Sequence, residues 1–253
     1  VQALLVRALV ARFWAEPHRG RLVRWGTRLH DAFLLPAFVE ADIAEVVADL
    51  NEHGIAFELS WLQPFLEFRF PRLGRVEVAG TTLELRSAIE PWHVLGEEMS
   101  SGGVARYVDS SVERVQIEVT GALADRYTVT CNGVPVPLHP AATSDGLAAG
   151  IRYRAWAPPS ALHPTIGVHS PLVFDLVDTW NERSLGGCTY HVVHPGGRAY
   201  EHYPVNANEA EARRNARFTP YGHSPGPVDT SLWKAAPNAE YPRTLDLRRT
   251  NPR

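Results

Sequence analysis

Alternation of polar and apolar residues over four short stretches is the feature of this chain that most restricts its fold. Side chains of a β-strand point alternately to the two faces of a sheet, so a period of two gives a strand one apolar and one polar face. The four stretches are residues 65–70, 75–78, 82–86 and 112–118. Together they predict an antiparallel sheet with one apolar face that packs into a core and one charged face.

The charged face of this predicted sheet carries glutamates beside arginines. We expect shared faces for Glu67 with Arg69, for Glu84 with Arg86, and for Arg114 with Gln116 and Glu118. A solvated face is the structural interpretation, because an exposed ion pair contributes only about 1 kcal/mol or less. The recurring Glu-x-Arg unit favours a second interpretation, since carboxylates are hard ligands for Mg²⁺ and arginines neutralise phosphoryl charge.

Size, charge and cysteine content narrow the class of protein. With 253 residues the chain exceeds the usual size of one domain, which favours two. A net charge of -3 argues against nucleic-acid binding driven by bulk charge. No apolar run reaches the ~18 residues that a membrane helix needs. Cys131 and Cys188 do not make a disulfide framework, so we expect free thiols in the cytoplasm.

Helical periodicity predicts two helices in the first half of the chain, over residues 2–15 and 36–52. A predicted loop over residues 90–103 combines acids, a histidine, a tryptophan and glycines, as loops that face substrates do. A solvated surface loop would show the same mixture. The candidate substrate-binding residues in and after this loop are His93, Glu97, Arg106 and Asp109.

Short strands dominate after residue 121. Asn132-Gly133 between two apolar runs is a hairpin signal, and further strands at 150–156, 172–179 and 187–193 predict a small β-sandwich. Asn206 is placed to cap a helix over 209–218, and the prolines after Pro220 predict a tail with little structure. The predicted division is 1–120 for part of an α+β domain, 121–205 for the sandwich, and 206–253 for the short helix and tail.

Longer motifs carry a resemblance to a known family. They are GTRLHD at 26–31, FLEFRFP at 65–71, EPWHVLGEE at 90–98, RYVDSSVER at 106–114, HPTI at 163–166, PLVFDLVDTW at 171–180 and PVN at 204–206. From about residue 21 to residue 227 the chain resembles a bacterial domain of unknown function known as a putative amidoligase. That domain lies C-terminal to transglutaminase-like domains in large cytoplasmic proteins.

The resemblance implies a link to glutamine synthetase-like carboxylate–amine ligases. It implies an α+β fold that begins with a partial glutamine synthetase-like antiparallel sheet with helices. It also implies ATP, Mg²⁺ bound by Glu67 and Glu84, and a peptide or amino-acid substrate. Arg69, Arg86 and Arg114 would then be the catalytic groups that neutralise phosphate or the substrate carboxylate, and the upstream transglutaminase-like domain of the same polypeptide would be the partner.

The chain starts late in the family's sequence. The resemblance therefore implies that much of the ligase site lies upstream of Val1 and that these 253 residues alone are inactive. A competing hypothesis comes from a different class of protein. In it, the chain is a non-catalytic module that binds peptide or braces the transglutaminase-like domain.

Overall fold

The structure is a computed structural model that describes residues 1–121, 125–141, 145–157, 165–192, 202, 204–231, 233 and 238–249. The helices in these residues are α1 (Gln2–Ala15), α2 (Pro36–Glu52), α3 (Gln63–Arg69) and α4 (Ala207–Asn215), with 3-10 turns at Gly26–His30, Leu59–Trp61 and Leu247–Arg249. The helices predicted over 2–15 and 36–52 are confirmed. Residues 163, 164 and 193, which belong to a quoted motif and to a predicted strand, lie outside the described residues.

Thirteen strands lie among the other described residues. In chain order they are β1 (Arg72–Val78), β2 (Thr81–Ala88), β3 (Val94–Ser100), β4 (Gly103–Val108), β5 (Val112–Gly121), β6 (Tyr127–Cys131), β7 (Val134–Pro135), β8 (His139–Pro140), β9 (Leu147–Arg154), β10 (Leu172–Asp178), β11 (Arg183–Tyr190), β12 (Phe218–Thr219) and β13 (Thr244–Asp246). The larger sheet has the order β1-β2-β5-β9-β13, with β8 also paired to β9, and the second sheet has the order β12-β11-β10-β6-β7. The α+β class is confirmed.

The two sheets pack face to face around one apolar core. The larger sheet contributes side chains from its central strands, including Leu83, Leu85 and Ile117, and the second sheet contributes Phe174 and Leu176. All five side chains are fully buried. The strands predicted over 75–78, 82–86 and 112–118 are therefore confirmed, and their apolar faces are the ones that enter this core.

The strand predicted over residues 65–70 is wrong, because these residues lie in α3. Pro64 occupies the first turn of this helix, where its missing N–H costs nothing. The buried residues around it are Leu62, Leu66 and Phe70, which are four apart and so share one face of a helix. Over six residues an alternating pattern and a helical pattern overlap, and only the outer positions distinguish them.

Helix α2 covers the face of the larger sheet that points away from the core. Its Ala37 packs against Ala148 of β9, and the Ala37 N–H donates a hydrogen bond to Gln116 Oε1 at 3.0 Å. Just before the helix, Leu35 is fully buried. It lies against Gly150, where an added Cβ would come within 2.9 Å of the leucine side chain. Helix α2 and the residue before it thus cover part of the charged sheet face, so this face is not open along its whole length.

Residues 90–103 were predicted as a loop, and the structure instead places most of them in a hairpin. Strands β3 and β4 pair only with each other in a two-stranded sheet, and Val94, Leu95, Met99, Val104 and Tyr107 are all exposed on it. We call this hairpin, residues 94–108, the arm. An isolated pair of strands is only marginally stable. Its base is held by a hydrogen bond from the Trp92 indole to the Val112 carbonyl at 2.7 Å.

The larger sheet combines strands from both sides of the predicted boundary at residue 120. β5, which ends at Gly121, pairs along its length with β9. The end of the chain also returns to this sheet, because β13 pairs with β9 in parallel register and Leu245 is buried. This strand differs from the poorly structured tail expected after Pro220, since a three-residue strand that pairs with a distant one leaves no local period to detect.

The capping of α4 agrees with the expectation from sequence. The Asn206 side chain accepts a hydrogen bond from the Glu209 N–H at 2.9 Å, which satisfies one of the free donors of the first turn. The helix runs over 207–215, within three residues of the predicted bounds.

Among the described residues, none of the helices combines the length and the apolar character that crossing a bilayer would require.

One edge of the sandwich yields a test of the packing. Gly74 of β1 lies against the ring of Phe218 in β12, and an added Cβ would come within 2.0 Å of Phe218 Cγ. We expect Gly74→Ala to lower the free energy of unfolding by about 1–3 kcal/mol, as overpacking does. Urea denaturation of the purified chain measures it. Gly96→Ala is the matched control, because nothing lies within 4 Å of a Cβ there. Equal stability of the two variants would contradict the contact between the sheets at this edge.

Candidate functional site

The charged face of the larger sheet is present and lies opposite the core. Across the strands, Arg86 is paired with Gln116, and Arg114 is paired with Arg152. Asp246 of β13 is the next cross-strand neighbour of Arg152. Cross-strand partners point to the same side of a sheet. The expectation that Arg114 and Gln116 share a face with the other charged residues is therefore confirmed.

At one end of this face, Arg86 joins two of the predicted site residues. Its Nε donates a hydrogen bond to Glu84 Oε1 at 2.7 Å, and its Nη1 donates to Glu67 Oε2 at 2.7 Å. The same Nη1 also reaches the carbonyl of Phe70 at 3.2 Å. The Arg72 guanidinium approaches Glu84 at 4.0 Å. We call Glu40, Glu67, Glu84, Arg86 and Glu118 the Arg86 cluster.

Negative charge is in excess in the Arg86 cluster. Burial raises the pKa of Glu40; Arg86 opposes that rise, while Glu118, Glu67 and Glu84 add to it. For Glu67, burial would raise the pKa, but the hydrogen bond and charge of Arg86 outweigh burial and the pKa is lowered. Glu40 is thus close to Arg86 and to three other carboxylates, with Arg72 as the second guanidinium nearby. Such a site suits a cationic or hydrogen-bond-donating group better than a phosphate.

Magnesium does not fit Glu67 and Glu84 in this arrangement. Both carboxylates accept charge-assisted hydrogen bonds from Arg86, so a guanidinium occupies the position that a shared cation would take. In the described part of the chain, no group of three or more His, Cys, Asp or Glu residues is arranged to hold a metal ion. Of the two Glu-x-Arg units, only Glu84 and Arg86 pair with each other, and Glu67 pairs with Arg86 instead of Arg69.

The expectation that Glu67 and Arg69 share a face is wrong, because residues two apart on a helix point in different directions. Arg69 is exposed at the end of α3. It makes no hydrogen bond or ion pair with the described residues, so its guanidinium is free for a ligand. It does not join the Arg86 cluster.

The Arg114 side chain is fully buried and donates hydrogen bonds to backbone carbonyls. Its guanidinium donates to the carbonyl of Asp31 at 2.7 Å, to that of Phe33 at 2.6 Å and to that of Ile89 at 3.2 Å. Burial lowers its pKa to about 10, and the nearby Glu90 opposes this effect. With its donors turned to three carbonyls, Arg114 offers none to a substrate, and its geometry argues against the catalytic role predicted for it.

Glu90 links Arg114 to a second buried arginine that the sequence reasoning missed. Arg152 Nε lies 3.0 Å from both carboxylate oxygens of Glu90, and Arg114 Nε lies 3.5 Å from one of them. On its other side, Arg152 Nη1 is 3.7 Å from Asp246. Arg152 also donates to the His30 carbonyl. The signal was available, because residues 150–156 were predicted as a strand and Arg152 alternates there with Ile151 and Tyr153.

Two stacked imidazole rings border this buried network. The rings of His30 and His93 are 4.0 Å apart and inclined by 12°. Burial lowers the pKa of His30 to about 4, and the charges of His93, Arg152 and Arg114 act in the same direction. Burial, followed by the charge of Arg152, also lowers the pKa of His93. Both rings are therefore neutral at pH 7.

The four candidate substrate-binding residues do not converge on one pocket. Glu97 and Arg106 pair with each other at 2.7 Å on the exposed arm. Asp109 is buried below the arm, where its carboxylate accepts hydrogen bonds from the Ser111 hydroxyl at 2.5 Å and the Ser111 N–H at 3.2 Å. His93 stacks on His30, whose carbonyl accepts a hydrogen bond from Arg152 of the charged face.

A serine, a histidine and an aspartate also meet on the second sheet. Ser184 Oγ donates to Asp175 Oδ1 at 2.9 Å and lies 3.2 Å from His223 Nδ1. In a hydrolytic triad the histidine stands between the serine and the acid. Here the serine stands in the middle, and Ser224 supplies two further hydrogen bonds to the same carboxylate. His223 Nδ1 also lies 3.0 Å from the Ser224 carbonyl, which can only accept a hydrogen bond, so this nitrogen carries a proton and is not a base for the serine. The cluster therefore fastens residues 223–224 to the sheet.

The stacked histidines predict a pH dependence of stability. The pKa of His30 is about 4 when folded and near 6.5 when unfolded, so between these values only the unfolded chain takes up the proton. Stability contributed by neutral His30 is therefore lost as pH falls from 6.5 towards 4. We expect His30→Asn to flatten the decline of the thermal midpoint over this range. His18→Asn, at an exposed histidine, is the control, and identical profiles for His30→Asn and wild type would contradict the burial of His30.

Comparison with known proteins identifies the family to which the chain belongs. The chain matches the model of the family described as "Putative amidoligase enzyme (DUF2126)" over residues 1–248. No curated protein and no solved structure gives a significant match. The match covers nearly the whole chain, including the larger sheet, the Arg86 cluster and the buried network of Arg114, Glu90 and Arg152. The chain belongs to the DUF2126 family of putative amidoligase enzymes.

Proposed function

We propose that the protein takes part in ATP-dependent formation of an amide bond between a carboxylate and an amine of peptide or amino-acid substrates. The observation that carries this proposal is membership of the amidoligase family over residues 1–248. Amide formation from an ionised carboxylate needs activation, because an oxide ion is a poor leaving group. Phosphoryl transfer from ATP supplies a leaving group, and this is the chemistry that ATP would contribute.

Within the described residues, the Arg86 cluster is the part suited to the amine. Side chains of Glu84 and Arg86 are about one-fifth exposed, at 19% and 20%, and Glu67 is 58% exposed, so a small ligand reaches them from solvent. The excess of carboxylates favours a protonated amine. Glu40, whose pKa is raised by burial, is the member best placed to accept a proton from that amine.

Magnesium and ATP belong to the proposed reaction, but we assign no step to Glu67 and Glu84 as metal ligands. Both hold Arg86 instead. Arg69 remains available for a substrate carboxylate, since its planar guanidinium is exposed. The upstream transglutaminase-like domain remains the proposed partner within a longer polypeptide.

A second candidate function is that of a bracing or peptide-binding module without catalysis. The observation that favours it is the use of Arg114 and Arg152 to hold the carbonyls of residues 30, 31, 33 and 89. In an active-site cleft, those donors would point to phosphate or carboxylate groups of the substrates. Here they stabilise the segments around residues 30–33 and 89, which pack on the sheet, as a structural module would require.

Substitution at Arg86 separates the two functions. Arg86→Lys keeps the charge but loses the planar fork that bridges two carboxylates. We expect hydroxamate formation from L-glutamate, hydroxylamine and Mg-ATP by the natural polypeptide that contains this chain to fall by about tenfold or more. The thermal midpoint should change little, since partly exposed ion pairs contribute about 1 kcal/mol or less. Arg126→Lys is the control, because Arg126 pairs with Asp178 on the second sheet, away from the charged face. Equal turnover in the two variants would favour the bracing module.

Nucleotide binding by the 253-residue chain provides a separate test. Because its described residues hold no metal-binding group and its central arginines are engaged by backbone, we expect at most millimolar affinity for Mg-ATP. Isothermal titration calorimetry measures it directly. Micromolar binding by this chain would show that a nucleotide site exists within it, and the assignment of Arg114 and Arg152 to structure would then fail.

A further inference from the structure

Helix α1 has two apolar faces on opposite sides. With 100° between successive residues, Leu5, Ala8 and Leu9 lie on one side, where they pack against Val47 and Leu50 of α2. Among its 14 residues, the polar ones are only Gln2, Arg7 and Arg12. Arg12 also belongs to the inner side, since its Nε donates to Asp49 at 3.1 Å.

The outer side of α1 is equally apolar but uncovered. It carries Ala3, Val6, Val10, Phe13 and Trp14, and we call it the outer face of α1. Val6 is 59% exposed, Val10 63% and Trp14 87%. A helix that is apolar all round is stable when it is packed on both sides. The outer face therefore has the character of an interface.

The apolar surface continues beyond the end of the helix. Phe13, Pro17, His18 and Leu22 line one shallow groove, so the loop after α1 folds back beside its last turn. Leu22 is 79% exposed and Val23 72%. Helix and loop together form one continuous apolar surface rather than scattered single side chains, and surfaces of this kind mark binding sites.

Positive charge surrounds this surface. Residues 1–28 contain the arginines Arg7, Arg12, Arg19, Arg21, Arg24 and Arg28, but only one acid, Glu16, although the whole chain has a net charge of -3. Apart from Arg12, none of these arginines has a side-chain hydrogen bond or ion pair with the described residues. The charge is therefore available to a ligand, which must be acidic where it meets the arginines.

The spacing of the outer face indicates the shape of that ligand. Ala3, Val6, Val10 and Phe13 are separated by three, four and three residues, which is the spacing of positions along a helix–helix contact. The small side chain of Ala3 at one end of this line allows two helix axes to approach closely there. An opposing helix would place its apolar side chains between them.

We propose that the outer face of α1 binds an amphipathic α-helix of a partner protein, with an apolar stripe flanked by acidic residues. The stripe lies along Val6, Val10 and Phe13, and the acids meet the arginines of residues 7–28. A membrane surface fits less well. A helix that lies on a bilayer keeps a solvated cationic face opposite its apolar face. In α1 the opposite face is buried on α2.

A designed peptide tests this proposal without knowledge of the natural partner. The probe is a synthetic three-heptad peptide with leucine at a and d and glutamate at e and g, whose like charges suppress pairing with itself. We expect the 253-residue chain to bind it at low salt, and to bind a lysine version at least about tenfold more weakly. A version with the leucines moved off the stripe should not bind. Fluorescence anisotropy of labelled peptides measures all three.

Substitutions in α1 then locate the site. Val6→Glu/Val10→Glu should weaken binding of the glutamate peptide at least about tenfold, through lost apolar contact and repulsion. The thermal midpoint should stay unchanged, because both valines are mostly exposed. Val104→Glu, at a valine 52% exposed on the arm, is the matched control and should bind normally.

Four outcomes would overturn the proposal. The first is absence of binding by the glutamate peptide, and the second is equal binding by the double variant and wild type. The third is sedimentation with phosphatidylcholine–phosphatidylglycerol vesicles that is lost in the double variant, which would assign the face to a lipid surface. The fourth is a dimer in analytical ultracentrifugation that the double variant abolishes, which would assign it to a second copy of this chain.

Discussion

The buried carboxylate of Glu90 is the interaction on which the arrangement of the larger sheet and its helices depends. It lies between the guanidiniums of Arg114 and Arg152, and all three side chains are at most 1% exposed. Removing one member of such a group leaves an uncompensated buried charge, at a cost of about 3–5 kcal/mol. Because the same arginines hold the carbonyls of residues 30, 31, 33 and 89, one charge network fixes both the chain entering α2 and the chain entering the arm.

The two ends of the charged sheet face have different chemistry because they differ in access to water. At Arg114 and Arg152 water is excluded and most of the donors are held by protein acceptors, so exchange for a ligand would be costly. At Arg86 the ion pairs are partly solvated, and each is worth little in isolation. A ligand can replace them there at small cost. A shared face and a shared residue type thus give a structural role at one end and the proposed amine-binding site at the other.

Sequence periodicity predicted those parts of the fold whose pattern is local and long enough. In β2 and β5 the alternation of polar and apolar residues repeats several times, and the two faces of each strand were predicted correctly. α3 was mistaken for a strand because six residues fit both periods, and this error also placed Arg69 beside Glu67. β13 pairs with a strand about ninety residues earlier, which no local pattern reveals. The partners of the arginines depended on the fold of residues 30–35, so their burial could not be read from alternation alone.

The two proposed surfaces are joined by α2. Near its N-terminal end Ala37 bonds to the charged sheet face, and Glu40 belongs to the Arg86 cluster. Near its C-terminal end Val47 and Leu50 support α1. A helix of this length is about 25 Å long and stiff, so a partner bound to α1 acts on the cluster only through the position of α2 as a whole. That position is fixed by the buried hydrogen bond from Ala37 to Gln116 and by the network around Glu90. Coupling between sites requires an element with two arrangements, and this anchoring favours one. Docking on α1 is therefore expected to place the protein beside its partner rather than to switch the Arg86 cluster.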